Sequence, residues 1–190
     1  MSEYVRFDRA SDVRSSLEEL SSCLTRCLDT DNALKYAIIS VHCALQGCLC
    51  IALRDGNSFQ TWKKKQYIKW QKHYDANLQG LQAPEIPQLD FFMSLYERVF
   101  SADKDLNSDL IIFLNETRNG LVHFNTDSYS IERASIIESI IEAVKAIKKT
   151  PDQAQGIFFY KEYESQHFIS LINQIEGQLE LMPNPRVNTD

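Results

Sequence analysis

Residues 11–28 read SDVRSSLEELSSCLTRCL, and Val13, Leu17, Leu20, Leu24 and Leu28 recur at helical intervals along one face, with charge and serine on the other. The neighbouring stretch 37–53, AIISVHCALQGCLCIAL, is the most apolar of the chain. It is interrupted by Ser40, His42 and Gln46, follows Lys35, and falls short of the ~20 residues a bilayer needs, so it reads as a buried core helix. Thr30-Asp31 between the two stretches offers a helix cap. An antiparallel hairpin of helices, 11–28 and about 31–53, is therefore expected at the centre of the protein.

Outward from the hairpin, helical periodicity continues and no window alternates β-branched and polar residues as a strand would. Arg54 to Ser58 reads as a turn, Trp62 to Asn77 as an inserted basic amphipathic helix, and Pro84 and Pro87 as marks of an irregular connection. Further helices are expected at 89–101, at 107–124 with Asn107 or Ser108 as cap, from about 130 to Pro151, and at 158–181. In the helix that starts near Ser130, Ile137, Ile140, Ile141, Val144 and Ile147 form the apolar stripe, while Glu132, Glu138, Glu142 and Lys145 face solvent. The fold expected is all-α, an up-and-down helical bundle. Its 190 residues, 44% hydrophobic, suit one domain over 1–182, followed by a disordered tail, 183–190, opened by Pro183 and Pro185.

Residues 1–10 hold charges and no apolar run, so no targeting peptide is expected and the chain is read as cytoplasmic, with no membrane partner. Five cysteines without a CxxC pair read as free thiols filling the core. No metal site is expected from them, because Cys23 and Cys27 lie one helical turn apart among leucines. The isolated glycines form no phosphate loop, which argues against a nucleoside-triphosphate enzyme; no cofactor is implied. The net charge of −6 argues against a protein that coats nucleic acid unspecifically. Charge is segregated, however. Residues 61–73 carry Lys63, Lys64, Lys65, Lys69 and Lys72 and no carboxylate, leaving the rest of the chain at −11. Interleaved with Trp62, Tyr67 and Trp70, these lysines could track RNA phosphates, with Lys63, Lys64 and Lys65 the substrate-binding candidates. The alternative reading turns Tyr67, Trp70 and Tyr74 toward the core and leaves the lysines solvated.

The stretch 118–123, Arg-Asn-Gly-Leu-Val-His, gathers a guanidinium, a carboxamide and an imidazole near a helix end. Asn119 and His123 are four apart on one face, whereas Arg118 and His123 diverge by roughly 140° on an ideal helix, so Arg118 must reach around. A phosphate could lie between guanidinium and imidazole. The plainer alternative pairs Arg118 with Glu116 and lets His123 cap its own helix. His42, on the apolar helix, reads as a satisfied core histidine that could still line a cleft, while His73, His167 and the pair Glu138 and Glu142 offer no ligand or catalytic spacing.

Taken as a whole, 114–124, LNETRNGLVHF, in an all-α chain with a long apolar hairpin before it, resembles the HEPN superfamily. That family's signature is an arginine, usually followed by a polar residue, and a histidine four to six residues on; Arg118, Asn119 and His123 match it. The resemblance covers the helical order of about 11–149, and only the motif is specific. It implies a metal-independent endoribonuclease acting as a homodimer with both motifs facing one cleft, in toxin–antitoxin or phage-defence biology. His123 would serve as general base on the ribose 2′-OH or general acid on the leaving 5′ oxygen, Arg118 would stabilise charge on the phosphorane, and Asn119 would orient the phosphate or Arg118. Products would be a 2′,3′-cyclic phosphate and a 5′-OH. Some family members carry a tyrosine two residues after the histidine that a partner nucleotidyltransferase modifies; here that position is Asn125, with Tyr129 nearby. A cognate antitoxin or such a nucleotidyltransferase is accordingly an expected partner. The rival expectation is a non-catalytic module that binds a nucleotide or a partner through the same residues.

Overall fold

The computed structural model describes residues 4–5, 8–77, 87–123 and 128–182. Among them the chain forms seven α-helices: α1 Arg9–Arg26, α2 Leu34–Ala52, α3 Lys64–Asn77, α4 Phe92–Phe100, α5 Ser108–Val122, α6 Arg133–Lys149 and α7 Glu162–Glu180. Extended pairing among the described residues is confined to two isolated bridges, Asp55 with Asn57 and Trp62 with Leu89. The expected all-α helical bundle is what the chain adopts. The expected disordered tail, 183–190, lies outside the described residues, as do Phe124 and Asn125.

Local chemistry sets the helix starts. Asp8 caps α1 by accepting from the Ser11 backbone N–H at 2.9 Å, and the Ser11 hydroxyl answers on the Asp8 backbone N–H at 3.0 Å. This reciprocal cap moves the start of α1 ahead of Ser11. A 3-10 turn, Asp31–Ala33, opens from Thr30 and runs into α2. Asn107 caps α5, accepting from the Asp109 N–H at 3.0 Å, with Asp109 in the first turn where its charge suits the helix dipole.

α2 is the central helix, packed against α1, α4, α5 and α6, while α7 closes over α1 and α6. The α1–α2 approach is close: a Cβ on Gly47 would fall 2.5 Å from Val13 Cγ2. Val13 near the start of α1 thus meets the second half of α2, as an antiparallel hairpin requires. Leu17, Leu20, Ala37, Ile38, Val41, Leu45 and Leu49 are all fully buried in a core cluster that runs from Val13 to Met182. By length and composition, 31–52 is apolar enough to cross a membrane, but enclosure by four other helices accounts for its hydrophobicity here. The cysteines are free thiols, four buried and Cys43 half-buried. Burial pushes the Cys23 thiol, which also faces Glu19, and the Cys50 thiol up to about 11, so both stay protonated at neutral pH.

Two expectations need correction. α6 meets α2, α5 and α7, so its buried arc is wider than one stripe and displaced from Ile141, which is 43% exposed. Glu142, expected in solvent, is instead 8% exposed and accepts from the Asn107 backbone N–H at 2.7 Å. It holds the entrance to α5. The second correction concerns α3. Tyr67, Trp70 and Tyr74 do not face the core; no described side chain of α3 is buried. Its rings pack on one another and on Phe59 and Trp62, with Trp70 stacked on Tyr74 at 5.1 Å and Phe59 within 5.3 Å of Trp62, Tyr67 and Trp70. The start of α3 is held by backbone bonds from Lys63 N to Gln88 O and from Asp90 N to Thr61 O.

Candidate functional site

α5 delivers the motif. Leu114 and Thr117 turn inward, which leaves Asn115, Arg118 and Asn119 on the flank facing α2 and solvent. Arg118 Nη1 donates to Asn119 Oδ1 at 3.0 Å, so the carboxamide holds the guanidinium across adjacent positions. No ion pair joins Arg118 to Glu116 among the described residues. Its Nε is buried and has no hydrogen-bond partner there. Arg118 is therefore a cation whose inner nitrogen is anchored by packing and whose outer nitrogens lean on Asn119.

His123 is the C-cap of α5. Its φ of −104° and ψ of 47° have left the helix, while its backbone N–H still donates to Asn119 O at 3.0 Å. The side chain is exposed and touches neither Arg118 nor Asn119 through a hydrogen bond. Gly120, between the two functional positions, lies under a neighbouring ring: a Cβ there would meet Tyr129 atoms at 3.1–3.3 Å. Tyr129, named above for its closeness in sequence, thus packs on the motif itself and is 45% exposed.

Behind Arg118 sits a polar link that the sequence did not single out. His42 of α2 is 3% exposed, and its Nε2 lies 3.1 Å from Asn115 Oδ1, one turn before Arg118 and Asn119. Because a carboxamide oxygen only accepts, Nε2 carries the proton, leaving Nδ1 as a buried acceptor without a partner. The ring stacks on Phe92 at 4.2 Å and 28°. Burial is the main reason the His42 pKa falls from 6.5 to about 4; the Asn115 bond opposes the fall and the nearby positive charge of Arg118 adds to it. His42 is neutral at physiological pH. The available signal was His42 on an otherwise apolar helix together with a carboxamide at position 115, a pairing that needs the α2–α5 contact to be seen.

Lys63, Lys64 and Lys65 stand apart from the motif, at the start of α3. Lys63 Nζ donates to Gln88 Oε1 at 3.2 Å and lies 4.5 Å from the centre of the Phe91 ring, whereas Lys64 and Lys65 are exposed. Phe91 precedes Phe92, the ring stacked on His42. A continuous line of contacts therefore runs from Lys63 through 91–92 and His42 to Asn115 and the Arg118 turn. Among the described residues no group of three or more His, Cys, Asp or Glu side chains is placed to hold a metal.

In class, the protein is a helical bundle with a half-buried arginine bonded to an exposed asparagine and a histidine at the end of one helix, backed by a histidine–asparagine bond. Comparison with family models, with curated proteins and with solved structures finds no match.

Proposed function

We propose that this protein is a metal-independent endoribonuclease of the HEPN kind, in which His123 moves the proton, Arg118 stabilises the phosphorane and Asn119 sets the guanidinium. The observation that carries the reading is the Arg118–Asn119 bond at 3.0 Å beside an exposed His123 at the helix end. A helix C-terminus carries about half a negative charge, which disfavours a phosphate there, so the site depends on the full charge of Arg118. One histidine cannot be both the base that takes the 2′-OH proton and the acid that protonates the leaving oxygen in the same step. A homodimer in which a second copy supplies its own histidine satisfies both roles. Lys64 and Lys65, exposed beside stacked aromatic rings, extend the contact along an RNA backbone. A toxin or phage-defence effector, restrained by an antitoxin or a nucleotidyltransferase, is the biology this chemistry would serve.

The test is incubation of end-labelled single-stranded RNA with the protein in EDTA, with analysis of product ends. Cyclic-phosphate and 5′-OH ends, abolished by a 2′-deoxy substitution at the scissile position, support the reading. The second reading, a non-catalytic nucleotide- or partner-binding module, is favoured by the absence of a bond between His123 and the Arg118–Asn119 pair. RNA bound but left intact by folded dimer across diverse substrates, tRNA included, would establish it.

A further inference from the structure

A cavity of about 740 Å³ lies away from the motif, between the start of α1, the end of α2 and 158–171. Its volume is in the range of small-molecule pockets, roughly 300–1,000 Å³. Ile51 on its wall is nine residues beyond His42, which places it about 13 Å further along α2 at helical rise.

Three arginines line this cavity, Arg9, Arg14 and Arg54. None has an ion pair or a side-chain hydrogen bond among the described residues. The two carboxylates on the wall are already committed to backbone N–H groups: Asp8 caps α1 on Ser11, and Glu164 accepts from Tyr160 N at 3.2 Å. The histidine on the wall, His167, lies 3.5 Å from Glu18. Three arginines against the carboxylates of Asp8 and Glu164 leave the lining one positive charge in excess.

The same lining holds an aromatic cluster. Phe158, Phe159 and Phe168 pack edge to face with centroids 4.8–6.1 Å apart, and Tyr160 is exposed next to them. This cluster is fixed to the Arg54 side by backbone. Gln155 N donates to Ala52 O at 2.9 Å, and Gly156 runs so close to Arg54 that a Cβ would fall 2.6 Å from the Arg54 carbonyl. Only glycine permits that approach. Arginines and aromatic rings lining one cavity of several hundred cubic ångströms suit a flat ring that carries a phosphoryl group: guanidiniums can take the oxygens in bidentate fashion and the rings the plane.

We propose that this cavity is a binding site for a small aromatic phosphate, a nucleoside monophosphate or an aryl phosphate, separate from the Arg118 site. The experiment titrates the full chain with 5′-AMP, adenosine, phenyl phosphate and inorganic phosphate by calorimetry, repeated for Arg14→Ala, Arg54→Ala and Arg118→Ala. Arg14 and Arg54 are exposed side chains, so their removal leaves the core untouched. The expected result is saturable binding of 5′-AMP, at least about tenfold weaker for adenosine and for phosphate alone, and at least about tenfold weaker in Arg14→Ala and Arg54→Ala. Arg118→Ala should bind as wild type. A Phe159→Leu variant with unchanged melting temperature should also lose 5′-AMP affinity, because stacking needs the ring. Absence of heat with every probe at millimolar concentration overturns the proposal. Binding lost in Arg118→Ala but kept in Arg54→Ala also overturns it and assigns the ligand to the motif instead; that outcome leaves the ribonuclease reading intact.

Discussion

His42 and Asn115 are joined across the α2–α5 interface by a 3.1 Å hydrogen bond, and that bond lies one helical turn behind Arg118. The imidazole is neutral in the fold because burial holds its pKa near 4 against an ordinary value of 6.5. The unfolded chain therefore binds the proton more readily than the folded one between these values, and stability rises with pH across that window. The contribution is fully present above pH 6.5 and is lost as pH falls toward 4, with a size on the order of 3 kcal/mol. Urea midpoints measured from pH 4 to 7 should show this slope. In His42→Gln, which keeps a donor for Asn115 and cannot titrate, the slope should flatten.

Glu142 is a buried anion with a structural duty. Its Oε1 accepts from the Asn107 N–H at 2.7 Å and lies 3.8 Å from Lys145 Nζ, so it fixes the residue that caps α5. Glu142→Ala leaves that backbone N–H unpaired and should cost about 1–3 kcal/mol, read as a lower melting temperature. Glu116→Ala, at an exposed position of α5, should change stability by less than about 0.5 kcal/mol.

The lysines of α3 are predicted to set affinity rather than rate. Lys64, Lys65, Lys69 and Lys72 are exposed and hold no ion pair among the described residues, and α3 contributes no buried side chain. Replacing all four by alanine should leave the melting temperature nearly unchanged and weaken single-stranded RNA binding. At about 0.7 per phosphate contact, the log–log salt dependence should flatten by roughly 2–3. Filter binding between about 50 and 200 mM salt, over which the screening length falls roughly twofold, reads the affinity and its salt slope.

The hairpin was legible because α1 buries one helical face, Val13, Leu17, Leu20 and Leu24, and α2 is apolar nearly all round; Leu28, placed on that face by spacing, lies beyond the end of α1 and is 59% exposed. α6 was read less well. It touches three helices, so Glu142 and Ile141 exchanged their expected places; a single-stripe pattern cannot foresee a second or third neighbour. α3 misled for the opposite reason, since rings at helical spacing read as core when they pack instead on one another and on Phe59 and Trp62 at the surface. At the site, Arg118, Asn119 and His123 could be named from a six-residue stretch, but the support behind them could not. The His42–Asn115 bond spans 73 positions, and the cavity of Arg9, Arg14 and Arg54 is assembled from both ends of the chain. Such long-range juxtapositions leave no local periodicity to detect.

The account rests on chemistry by the motif, and single-turnover cleavage of labelled RNA in EDTA by wild type, Arg118→Ala and His123→Ala tests it most directly. Both variants should fold with unchanged melting temperature and lose about 10²–10⁴-fold in rate, with His123→Ala retaining RNA affinity. Equal rates in all three folded proteins would contradict it and remove Arg118 and His123 from any catalytic role.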